Sequence, residues 1–295
     1  MSVLPLSQFE GKPSVWDWLR SGERIWKKNP SIFYGGLIVL AITLIGIFSK
    51  YIVPYDPIEQ DLKNILLPPS AEHWLGTDQV GRDLFSRIIS ATSLDLTIGV
   101  LSVLFPLIIG IVVGMLSGYY GGIVDTIFMR LVDIVVAFPF MVLIIVLIAV
   151  LGPGLKNVII AVTIVSWIIY ARIVRGEILV AKQLEYVIAA KTLGYSDLRI
   201  MIRHLLPNVV STAIIFGALD IALDILLAAT LGFLGLGVQP PIPEWGSIIA
   251  EGRNFMTTSW WISAFPGFAI VITGAGFALM ADGLADMLRT GGQEA

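Results

Sequence analysis

Apolar positions in this chain gather into six long runs separated by polar stretches: about Ile32–Val53, Leu94–Tyr119, Ile127–Leu151, Val158–Ile173, Val209–Val238 and Ile262–Leu284. A helix needs roughly 20 mostly apolar residues to cross the hydrocarbon core of a bilayer. The fourth run is short. The fifth is long and is interrupted by Asp220 and Asp224. The pattern predicts an all-α integral membrane protein with six transmembrane helices.

The polar stretches divide the chain further. Residues 1–30 form an N-terminal segment, 31–53 a first span, 54–92 a loop with "PYDP" and "LPPS" turns, and 93–290 a core of five helices. Within residues 14–28, Val15, Trp18, Leu19, Gly22, Ile25 and Trp26 share one helical face and Arg and Lys occupy the other. That is the pattern of a helix lying in the membrane interface; a short disordered tail is the alternative. No internal repeat or low-complexity tract is present.

Composition agrees with lipid as the main solvent. Hydrophobic residues make up 56% and charged residues 14%, against about 25% charged in soluble domains; the mean hydropathy is +0.86. A net charge of −3 gives no basic excess for nucleic acid. Cysteine is absent, which removes disulfides, thiolate metal sites and Cys nucleophiles. His73 and His204 have no metal-ligand spacing. The polar first 30 residues do not read as a cleavable leader.

Basic residues set the expected orientation. With the N-terminus inside, 13 of the 19 Lys and Arg residues fall in inside segments, and Lys50, Lys63, Arg82, Arg87, Lys156 and Arg253 fall outside. By the positive-inside rule both termini are expected in the cytoplasm, together with the polar stretch joining the fourth and fifth runs.

That stretch, "AAKTLGYSDLRIMIRHLLPN" (189–208), carries its own helix punctuation. Glu185 to Leu193 favours helix, with Ala189 and Ala190 as strong formers. Gly194 stands where a helix C-terminus commonly takes a left-handed residue. Ser196 is suited to cap a second helix, with Asp197 in its first turn, and Pro207 is expected to end that helix. Two readings of this helical hairpin are open. One is docking to a soluble partner as a helix laid in a groove. The other is a loop packed beneath its own bundle.

The stretch resembles the EAA motif of bacterial ABC importer permeases. Ala189, Ala190, Gly194, Leu206 and Pro207 match; His204 stands where the motif prefers isoleucine; Ile188 stands where an acidic residue is expected, with Glu185 one turn earlier. "HWLGTDQVGRDLFSRII" (73–89), "GYYGGIVDTIFMRLVDIVVAFP" (118–139) and "LGFLGLGVQPPIPEWG" (231–246) resemble the C-type permease subunit of the dipeptide/oligopeptide ABC importers. The resemblance implies a six-span permease of a bacterial or archaeal cell membrane, paired with a second, unlike permease. It also implies two P-loop ATPase subunits and an extracytoplasmic binding protein. The hairpin, in a coupling loop of about 174–208, is then the element that meets the ATPase, through Glu185, Ala189, Ala190, Gly194, Ser196, Asp197, His204, Leu206 and Pro207. Dipeptides or oligopeptides are the implied substrates, with nickel or another small solute as the alternative.

No stretch fits GxxxxGK[ST], the backbone cradle and lysine that hold nucleotide phosphates. ATP and its magnesium are therefore expected on partner chains, with no cofactor on this one and no catalytic role. Two other classes compete. An ion-coupled secondary transporter often has inverted repeats, which are not visible here. An intramembrane protease needs residues from different elements, whereas Asp220 and Asp224 lie one turn apart on one helix. Ionisable residues inside a span face protein or water, so that pair is expected to face the translocation pathway or the partner permease.

Overall fold

The computed structural model describes residues 29–291, with side chains to residue 287. The expected interfacial helix at 14–28 lies outside the described residues. In chain order the helices are α1 (Pro30–Ile52), α2 (Leu84–Tyr120), α3 (Gly122–Val136), α4 (Phe140–Leu151), α5 (Leu155–Ala181), α6 (Glu185–Thr192), α7 (Asp197–Ile200), α8 (Leu206–Phe233), α9 (Trp245–Gly252) and α10 (Trp261–Gly291). No β-strand occurs among the described residues; a single bridge joins Thr77 to Asp83.

Five helices are long and apolar enough to cross a membrane, or six if α3 and α4 count as one span bent by 88°. The third expected span is thus a broken one. The break falls at Pro139, which has extended backbone (φ −59°, ψ 127°). Proline lacks the N–H a continuous helix needs and pushes the preceding residue out of helical geometry.

Three boundaries differ from the sequence reading. Helix α2 begins at Leu84, well inside the expected 54–92 loop. Its N-terminus is capped by Asp83, whose Oδ2 accepts from Ser86 N at 2.8 Å, and its polar first turns face protein: Ser86, Arg87 and Thr92 are all buried. Helix α5 continues to Ala181, so the expected loop at 174–208 loses its first residues to a helix. Helix α8 stops at Phe233, short of Val238.

Between lipid-facing helices the hydrophobic effect supplies little attraction, so close packing of small residues does the work. Gly110, Gly114 and Gly118 of α2 form a stripe against α5. A Cβ on Gly114 would lie 2.6 Å from Ala171 O. Gly35 of α1 meets α10 in the same way, 2.8 Å from Gly276 O. Three buried clusters run along the bundle. One holds Leu84, Ile225, Trp245 and Trp261 at the end where α2 begins. A middle one holds Ile98, Ile144, Val162 and Leu231. The third holds Ile178, Ala190, Leu205 and Val209 at the end where α2 stops.

Buried charges tie the 53–83 loop to the first of these ends. Asp78 is fully buried. Its carboxylate accepts from Arg82 Nε at 2.6 Å and from Arg87 Nη1. Glu251, from α9, accepts from Arg82 Nη2 at 2.6 Å and Arg87 Nη1 at 2.7 Å. His73 Nδ1 lies 3.0 Å from Asp83 Oδ1. Removing one member of such a set leaves a buried charge unpaired, which typically costs about 3–5 kcal/mol. The "HWLGTD" stretch is therefore part of a cap on this end of the bundle.

Candidate functional site

The hairpin forms at the opposite end of the bundle. Helix α6 ends in a two-bond glycine turn: Tyr195 N donates to Ala190 O at 3.1 Å and Gly194 N to Lys191 O at 3.0 Å. This pairing needs a left-handed residue, and Gly194 has φ +78°. Ser196 occupies the position before α7 with extended backbone, but its side chain makes no capping bond. Asp197 stands in the first turn, as expected. Its Oδ1 accepts from the Tyr119 hydroxyl at 2.6 Å, and that bond uses the carboxylate across the fold, not only along the helix.

Pro207 does not end the second helix. Residues Met201–Leu205 form a wide π turn that runs directly into α8, and Asp197–Phe233 is one span of 37 residues. The physical reason is the hydrogen-bond shift: Leu206 N donates to Met201 O, five residues back. Pro207 then falls in the first turn of α8, a position where a missing N–H is tolerated. Leu206 is half-buried and Pro207 exposed. The hairpin is thus the end of a membrane-crossing helix, not a detached loop.

The hairpin surface is apolar where it faces outward. Leu184, Ile188, Leu193, Leu198 and Ile202 are 47%, 55%, 73%, 63% and 54% exposed. Ala189 is exposed beside them, as is Glu185, while Ala190 is buried in the underlying cluster. A Cβ on Gly194 would meet nothing within 4 Å. A groove of about 540 Å³ is lined by Ser196, Leu198, Arg199, Ile202, Arg203 and Pro207. His204 stacks on Tyr195 with centroids 5.8 Å apart, and Arg199 lies 5.3 Å from the same ring.

Asp220 and Asp224 are not part of this site, and they do not point away from the chain. Both are buried, and Asp220 Oδ2 accepts from the hydroxyl of Tyr170 on α5 at 2.6 Å. The pair is expected from sequence to face the translocation pathway or the partner permease; within this chain Asp220 meets a hydroxyl of the neighbouring helix α5.

Sequence reasoning missed the groups beneath the hairpin. Arg175 of α5 makes a two-pronged pair with Asp125 of α3, Nε to Oδ1 at 2.6 Å and Nη2 to Oδ2 at 2.7 Å. Ser117 Oγ also donates to Asp125. Lys182 Nζ donates to Gly118 O at 2.8 Å. The available signal was an unmatched acid and base, Asp125 and Arg175, at the ends of apolar runs.

Residues 110–291, more than half the chain, match the family model "binding-protein-dependent transport system inner membrane component". Residues 20–69 match "N-terminal TM domain of oligopeptide transport permease C". The chain is 42% identical to the probable D,D-dipeptide transport system permease protein DdpC of Escherichia coli (strain K12), over 98% of this chain and 95% of that one. It is 44% identical to the glutathione transport system permease protein GsiD of Pectobacterium atrosepticum, over 86% and 84%. It is 41% identical to the dipeptide transport system permease protein DppC of Alkalihalophilus pseudofirmus, over 89% and 86%. Among solved structures, the fold matches a chain of the MetNI methionine ABC transporter with a TM-score of 0.50 at 19% identity, covering 67% of this chain and 96% of that one. With its apolar helices and its match over most of its length, this chain belongs to the binding-protein-dependent transport system inner membrane components, a family of multi-pass membrane permeases.

Proposed function

We propose that this chain is the transmembrane subunit of an ATP-driven importer that brings dipeptides or oligopeptides into the cell. It pairs with a second, unlike permease, two P-loop ATPases and an extracytoplasmic binding protein. Both termini lie in the cytoplasm. ATP and magnesium are bound by the ATPases, and this chain carries no catalytic step. Its hairpin, Glu185 to Pro207, docks on an ATPase. The observation that carries the reading is the exposed apolar hairpin built as the end of a membrane-crossing helix. A partner that grips it moves α8 directly. Peptide is favoured over nickel because the relatives' names specify dipeptides and glutathione.

The test is uptake by the purified assembly in proteoliposomes, with a labelled dipeptide and the binding protein outside and ATP inside. Uptake that needs both ATP and binding protein supports the reading. Uptake driven by an ion gradient without ATP sinks it. Docking is tested separately: Leu198→Cys should cross-link to a single cysteine placed in the groove of the ATPase, and absence of that product rules docking out.

A further inference from the structure

Three successive residues at the end of α2 are each gripped by a different part of the chain. Ser117 donates to Asp125, which holds Arg175 of α5. Gly118 O accepts from Lys182, in the arm that enters the hairpin. The Tyr119 hydroxyl donates to Asp197, in the arm that leaves it. Gly118 O is one of the last carbonyls of α2, which the helix itself leaves without partners, so the lysine meets a real need there. Arginine on carboxylate in two prongs fixes orientation as well as distance. The α2–α3 turn is therefore bound on both sides of the hairpin base, and Asp125 and Arg175 are only part-exposed, at 23% and 30% of their side chains.

We infer that the α2–α3 turn, residues 117–125, carries movement of the hairpin into helix α2, with Asp125, Arg175 and Tyr119 as the positioning residues for that transmission. The inference rests on the reading that the hairpin docks on an ATPase. The hairpin is continuous with α8 and moves it without help. Helix α2 is not continuous with the hairpin. Its close glycine packing against α5 makes the pair one unit. Tyr119–Asp197 is the polar link from that unit to the arm that leaves the hairpin, and Asp125–Arg175 fixes to α5 the turn that carries Tyr119. Without them, displacement of the arm that leaves the hairpin has no direct bond to α2 and reaches it only through residues 182–184 and α5.

The experiment uses the complete assembly in proteoliposomes, with ATP hydrolysis and uptake measured on the same sample. Asp125→Asn keeps side-chain size, Arg175→Gln shortens the side chain, and each removes one charge of the pair. Expected are normal assembly, basal hydrolysis and melting temperature, with peptide moved per ATP falling roughly tenfold, within the usual range of coupling between two sites. The exchanged pair Asp125→Arg with Arg175→Asp should recover part of that loss. A role in holding the fold alone would lower melting temperature and hydrolysis instead, and that result overturns the inference. So does an unchanged ratio in all variants. If the charge variants do not assemble, Tyr119→Phe decides, since it removes a single hydroxyl: a lowered ratio supports the inference and an unchanged one overturns it. The Leu198→Cys cross-link separates the two readings. Its absence sinks docking; its presence with an unchanged ratio sinks only the tether.

Discussion

Asp95 and Glu244 together accept the three backbone N–H groups that open α9. Trp245 N donates to Asp95 Oδ2 at 3.2 Å, and Gly246 N and Ser247 N donate to Glu244 at 2.7 and 2.8 Å. Both side chains are buried. The first N–H groups of a helix have no partner within it and carry partial positive charge. Here two acids from different parts of the chain meet that need, and the Trp245 indole adds a bond to Ile88 O at 3.1 Å. This fixes α9 across the start of α2.

Glu244→Ala should therefore destabilise the chain by about 2–3 kcal/mol, because it leaves buried donors without partners. The measurement is thermal unfolding of the purified chain in detergent; a loss below about 0.5 kcal/mol, the size of an ordinary surface change, would refute it.

Burial pushes the Glu244 carboxyl up, partly opposed by the Gly246 and Ser247 N–H groups. A group with a raised folded pKa contributes its stability fully below the unfolded value. That contribution is lost as pH rises through the folded value. Melting temperature should thus fall as pH is raised from the ordinary glutamate value of 4.5, and Glu244→Gln should flatten that slope. An identical slope in the variant contradicts the assignment.

Gly194 separates two causes by substitution. Valine in a left-handed conformation is strained by roughly 1–2 kcal/mol, whereas asparagine tolerates it. Since nothing in this chain crowds the position, Gly194→Val should insert normally but fail to couple transport to ATP. If Gly194→Asn transports normally, backbone conformation is the requirement; if it also fails, the ATPase approaches too closely for any side chain. Normal transport by Gly194→Val removes the coupling role.

Topology is open to a direct check, since the chain has no cysteine. Ser70 and Ser196 are both exposed. A cysteine at Ser70 should react with an impermeant thiol reagent in intact cells, and one at Ser196 only after permeabilisation. The reverse pattern overturns the orientation.

Gly35 and Gly36 are adjacent yet should respond oppositely. A Cβ on Gly35 runs into the backbone of α10, while one on Gly36 meets nothing within 4 Å. Gly35→Ala should cost about 1–3 kcal/mol by overpacking, and Gly36→Ala should be neutral or slightly stabilising, as alanine favours helix. Equal melting temperatures for the two variants would show that α1 does not pack on α10 through this face.

The sequence by itself determined which segments enter the membrane, because an apolar run of about twenty residues has no other stable environment for its backbone than a helix. It also determined the Gly194 turn, since glycine alone fits a left-handed helix end freely, and the helical character of Glu185 to Thr192. These are local properties. The tertiary structure decided the rest. Pro207 reads as a stop in sequence, but a π turn before it moves the hydrogen bonds and lets the helix run on. Residues 84–92 read as loop, but facing protein they form the first turns of α2. Asp220 showed no partner in sequence, because only the fold brings the Tyr170 hydroxyl to it from α5. Asp125 and Arg175 looked like two unrelated charges until helix packing set them 2.6 Å apart. A side chain's partner is chosen by the packing of distant helices, and that packing is set here by small residues whose contacts carry no local signature.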